Sequence, residues 1–145
     1  MKPDLERFLT DRLDEIIAEV VCEITSRVPG YTHVRPGAVA PLVRGALSGY
    51  LGARDRTAVL DSFRVLGAGE ARAGQDIRHF ESALRTGARV LIRRTANAAA
   101  RLYPPTAEYV TVMETAFSAE NEIVEAAVAG HHGAACRLRP LFSEN

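Results

Sequence analysis

Residues 4–28, DLERFLTDRLDEIIAEVVCEITSRV, decide the fold class. Leu5, Phe8, Leu9, Leu13, Ile16, Ile17, Val20, Val21, Ile24 and Val28 recur at three- and four-residue steps, which puts them on one face of a helix. Asp4, Glu6 and Asp11 fall near its start, where negative charge suits the helix dipole. Pro29-Gly30 ends it. The stretch predicts one amphipathic helix from Asp4 to Val28. Its apolar face can also serve as a dimer seam, although it keeps no strict heptad.

The same punctuation recurs downstream. Tyr31 to Pro36 reads as a connector. A second helix runs from Pro36, which suits a first helical position, to Leu51, with Gly52 at the exit. Asp55 is an N-cap for a third helix reaching Ala73, and Gly74 stops it. Asp76 caps a fourth helix that reaches Tyr103, where Pro104-Pro105 forms a hard break. Thr106 caps a fifth helix ending near Gly130, and residues 131–145 read as an irregular tail or linker. No segment alternates like a strand and no repeat is visible. Isolated helices are marginal, so the expectation is a single all-α domain over residues 1–130, a bundle of about five helices.

Composition narrows the function. Apolar residues are 47% and charged residues 25%, a globular balance. With 18 basic and 18 acidic residues the formal charge is zero, which argues against a dedicated nucleic-acid binder. Lys2 is the single lysine; this arginine bias points to a GC-rich, actinobacterial genome. There is no charged-then-apolar leader, and no apolar run approaches about 18 residues. A cytoplasmic protein without membrane contact is expected. Cys22, in an apolar helical run, reads as a buried thiol and Cys136 as a free tail thiol; neither has metal-ligand spacing. None of His33, His79, His131 and His132 forms HxxxH or HExxH, so no metal and no cofactor are predicted.

Three groups of residues invite chemistry. Arg78, Arg85, Arg89 and Arg93 lie within about 80° of one another on the fourth helix. They read as a solvated face, a protein-partner surface, or a phosphate- or nucleic-acid-binding stripe. Glu70 and Glu120 fall in the middle of apolar stripes, where an unpaired carboxylate is costly. Arg94 and Arg101 flank the apolar face of the fourth helix and are candidate partners. Glu70, Arg94, Arg101 and Glu120 can therefore make a buried ion-pair network, a polar pocket for a small ligand, or a pair of catalytic carboxylates. No other acid/base constellation accompanies the last option, so no catalytic residue is assigned. The glycines at 67, 69 and 74 follow no strand; they read as a close helix approach and a helix stop rather than a dinucleotide loop.

Two stretches resemble a known family. One is Val28-Pro29-Gly30-Tyr31. The other is Glu70-Ala71-Arg72-Ala73-Gly74, followed by Phe80 and then Ala83-Leu84-Arg85-Thr86-Gly87. The second is similar to the A-x-x-G … L-x-x-A-[YF]-R-x-G pattern of RsbRD-type N-terminal domains (the RsbT co-antagonist family), which also precede the helix-turn-helix of PucR-like actinobacterial transcription regulators. The arginine and glycine match at Arg85 and Gly87, Gly74, Phe80 and Ala83 fall at motif positions, and Leu84 stands where the pattern has an aromatic. The resemblance implies an all-α input domain related to non-haem globin-like regulatory domains, with signal reception or dimerisation rather than catalysis, and an output module downstream.

The resulting expectation is a non-catalytic regulatory domain. It would be a homodimer, with a small-molecule effector or a protein partner and no direct contact to nucleic acid. The alternatives are a nucleic-acid-binding protein using the arginine stripe, and a small helical enzyme using Glu70 and Glu120.

Overall fold

Leu5, Leu9, Leu13, Ile16, Ile17, Val20 and Ile24 are all buried in the computed structural model, but two helices carry them rather than one. α1 spans Lys2–Thr10 and α2 spans Leu13–Arg27. The bend between them is made by Arg12. Its backbone leaves the helical region (φ −109°, ψ 19°), and its amide reaches the Leu9 carbonyl three residues back, at 3.0 Å. Its guanidinium folds back to donate to the Phe8 carbonyl at 2.9 Å and lies 3.6 Å over the Phe8 ring. The bend keeps one apolar face in register across both helices. That face is spent on the core, which leaves it closed to the dimer seam considered from the sequence.

The structure describes residues 2–52, 55–103 and 107–142. Among them the remaining elements are α3 (Pro36–Leu51), α4 (Arg56–Arg72), α5 (Ile77–Leu102) and α6 (Ala107–Phe142), with no strand. The chain is an all-helical bundle. α4 lies along α6 in the most extensive helix pair; α5 packs on α2 and α6, and α3 bridges α1, α2 and α4. The side chains of Asp55 and Asp76 accept from the amides of Thr57 and Arg78, so both acidic caps work as expected. Gly74 takes φ +80° at the turn between α4 and α5, a conformation that disfavours any other residue. Pro104-Pro105 and Thr106 lie outside the described residues.

Two further expectations fail. The fifth helix does not stop near Gly130, and the segment from His131 is not an irregular tail: α6 continues to Phe142. Gly130 sits where α6 crosses α4. A Cβ there would run into the Arg64 carbonyl, as one on Gly67 would run into the Ala127 carbonyl. Gly67 and Gly130 thus bring two helix backbones together; neither ends a helix. Cys22 is exposed rather than buried. No described helix is long and apolar enough to cross a membrane.

Candidate functional site

The helices do not close completely at the centre. They leave a cavity of about 270 Å³ bounded by α2, α3, α4, α5, α6 and the Tyr31–Arg35 connector. That lies just under the usual range of about 300–1,000 Å³ for small-molecule sites. Its walls are apolar: Val20 and Ile24 from α2, Phe63 from α4, Phe80 and Leu84 from α5, Ile123 from α6. Gly87 opens the α5 wall. A Cβ there would come 3.4 Å from Val20 and 3.6 Å from Ile24, ordinary contact that narrows the space without a clash. Four of the motif positions, Phe80, Ala83, Leu84 and Gly87, line this cavity; Gly74 and Arg85 lie outside it.

One end is polar. Tyr31 is 3% exposed, and its hydroxyl donates to Glu70 Oε1 at 2.7 Å. Burial pushes the Tyr31 phenol well above its ordinary value of 10, and the carboxylates of Glu70 and Asp76 push it the same way. Tyr31 is therefore a donor at neutral pH. Exposed His33 rests on the Tyr31 ring, with centroids 5.1 Å apart, and exposed Arg35 stands at the mouth.

The four residues singled out as a network separate into different places. Glu70 lines the cavity and meets a tyrosine, not an arginine. Glu120, with its side chain 15% exposed, meets Arg85 at 3.2 Å, and Arg85 also holds Glu81 at 3.1 Å. Arg94 pairs instead with Glu19 of α2 at 2.7 Å and Glu15 at 3.6 Å. Burial raises Glu19, but hydrogen bonds from Arg94 and Arg93 outweigh it and hold the carboxyl below its ordinary value. Arg94 and Arg101 line a second cleft of about 300 Å³ against Phe8, Arg12 and Ile16. The expected pairing of Glu120 with Arg94 or Arg101 is thus replaced by Arg85. The reason is angular: nine residues separate Arg85 from Arg94, about half a turn around the helix. The two therefore face different neighbours. Of the arginine stripe, Arg85 and Arg93 staple α5 to α6 and α2, and Arg78 and Arg89 are exposed.

Sequence reasoning missed His131. It is 7% exposed; its Nε2–H donates to the Gln75 carbonyl at 2.8 Å, and its ring stacks on Phe80 with centroids 5.7 Å apart. The late part of α6 is thereby tied to the α4–α5 turn and to the cavity wall. A second tyrosine was also missed. Tyr50 donates to Glu122 at 2.7 Å, with Arg56 4.5 Å over its ring and 4.0 Å from Glu122.

Burial raises the Tyr50 phenol too, helped by Glu122 and opposed by Arg56. Both phenols are raised in the folded chain, so the stability they carry is fully present below pH 10 and lost as pH climbs through the folded values. Helical dichroism is expected to hold to about pH 10 and to fall as phenolate absorbance appears. Phenolate from Tyr31 or Tyr50 forming below that pH in a fully helical chain would contradict this.

Against known proteins, the family model described as the PucR-like N-terminal domain matches residues 1–140. No curated protein and no solved structure matches the chain.

Proposed function

Because this chain belongs to the PucR-like N-terminal domain family, we propose that it is the non-catalytic, effector-responsive input domain of a bacterial transcription regulator, cytoplasmic and homodimeric. The observation that carries the effector part is the central cavity, walled by Phe80, Ala83, Leu84 and Gly87. A packed core closes such spaces, because an unfilled void forfeits contacts. A void with its hydrogen-bonding groups gathered at one end fits a site for a small molecule better than a core. For the dimer, Val110 and Phe117 are 52% and 55% exposed and lie seven residues apart on α6. That places them on one face of the helix, with α6 free to pair with a second copy there.

One experiment reads both parts. Native mass spectrometry of the chain purified from its host is expected to show a dimer carrying a small molecule. Leu84→Trp, which fills the cavity, should lose the adduct and stay dimeric. Phe117→Glu should give a monomer that keeps the adduct. An adduct that survives Leu84→Trp removes the cavity from the proposal, and a wild-type monomer at all concentrations removes the dimer.

A further inference from the structure

We propose that the cavity takes an amphipathic cation: a small apolar alkyl or aryl body carrying one ammonium-type group that donates to Glu70. This assignment rests on the effector reading above and adds the ligand's chemical class. The apolar body follows from the walls, where Val20, Ile24, Phe63, Phe80, Leu84 and Ile123 offer no polar side-chain atom.

The charged end follows from Glu70. Among the described residues lining the cavity it is the one carboxylate. A carboxylate has about four acceptor positions, and Tyr31 supplies a single neutral donor to Oε1. Tyr31, raised by burial, stays protonated and holds the carboxylate in place as an acceptor.

Three other carboxylates of the chain are treated differently. Glu19 meets Arg93 and Arg94, Glu120 meets Arg85, and Glu122 combines its tyrosine with Arg56. Tyr31–Glu70 and Tyr50–Glu122 are the same pair built twice, but among the described residues only the second has an arginine within 4.0 Å. Glu70 lines an apolar space with the Tyr31 hydroxyl as its hydrogen-bond donor. An ammonium group entering with an apolar body completes the pairing that Arg56 gives Glu122. An anion entering the same space meets a like charge in a medium of low dielectric. The counter-case is Arg35, which could draw an anionic head. Arg35 is exposed at the mouth, where water and salt weaken its pull.

The test uses three probes with the same octyl chain: octylamine, 1-octanol and octanoate. Each is titrated calorimetrically into wild type, Glu70→Gln, Arg35→Gln and Leu84→Trp at neutral pH, where the amine is protonated. Glu70→Gln keeps an oxygen for the Tyr31 hydroxyl, so the fold is preserved, which a thermal melt checks. Octylammonium is expected to bind about tenfold tighter than octanol, the size of one charge-assisted hydrogen bond, and octanoate weakest. The advantage should vanish in Glu70→Gln, persist in Arg35→Gln, and all binding should be lost in Leu84→Trp. Octanoate binding tightest, with the preference lost in Arg35→Gln, overturns the cationic class and leaves the effector cavity standing. No binding of any probe to wild type, or binding that Leu84→Trp does not touch, overturns the cavity as an effector site and the cation with it.

Discussion

Gly67→Ala is expected to lower stability by about 2–3 kcal/mol in urea denaturation, in the range seen for overpacking, and to lower Tm by about 5–10 °C for a chain of this size. The sign is the informative part. Inside a helix, glycine to alanine ordinarily stabilises by about 0.5–1 kcal/mol, because the glycine loses more backbone entropy on folding. At Gly67 the added methyl would meet the Ala127 carbonyl and the His131 amide across the α4–α6 crossing. A backbone obstruction cannot turn aside as a side chain can, so the two helices must separate along the largest packed surface in the molecule. Gly130→Ala meets the Arg64 carbonyl and should behave alike. Gly69, two residues along the same helix, has nothing within 4 Å of its position, so Gly69→Ala should stabilise. Opposite signs at two glycines of one helix cannot come from propensity. A neutral or stabilising Gly67→Ala would mean that α4 and α6 do not cross at this distance.

Gly130 also shows where a sequence stops being readable. A lone glycine near the end of an apolar stripe looks the same whether it terminates a helix or admits a neighbouring backbone. Only the partner across the gap decides, and Arg64 is far away in sequence. Gly74, by contrast, could be read, because the turn it makes is local and is followed at once by the Asp76 cap. The ends of α3, α4 and α5 were legible for the same reason: Pro36, Gly52, Asp55 and Asp76 act within a few residues of where they stand. The break at Arg12 was not, since arginine carries no conformational signature and the bend rests on its reach back to Phe8.

The candidate site was half legible. Glu70 declared itself as a carboxylate on an apolar stripe, and the structure places it in the cavity wall. Its tyrosine partner, 39 positions earlier, did not. Apolar periodicity marks a buried face but cannot say whether the space it faces is filled. Val20, Phe63 and Leu84 look alike in sequence whether they touch each other or surround a cavity.

Phe80→Ala is expected to destabilise the chain by about 3–5 kcal/mol, the usual cost of removing a buried phenylalanine ring. Phe80→Leu should cost less than about 1.5 kcal/mol because most of the volume is retained. Against a typical total of about 5–15 kcal/mol, the alanine variant stands near the edge of folding. Three things depend on this ring. It is 2% exposed and belongs to the core, it forms part of the cavity wall, and it is the surface on which His131 stacks. Truncating it enlarges a space that is already incompletely filled, so the lost contacts have no neighbour able to replace them. It also removes the ring on which His131 stacks and leaves its hydrogen bond to the Gln75 carbonyl. The second consequence can be separated from the first by hydrogen exchange under native conditions. If the ring anchors α6 to the cavity wall, amides around His131 should lose more protection in Phe80→Ala than amides of α2, which borders the cavity at Val20 and Ile24. Equal loss in both helices would reduce Phe80 to a core residue. Loss concentrated in α6 would mean that Phe80 couples the cavity wall to α6 through His131.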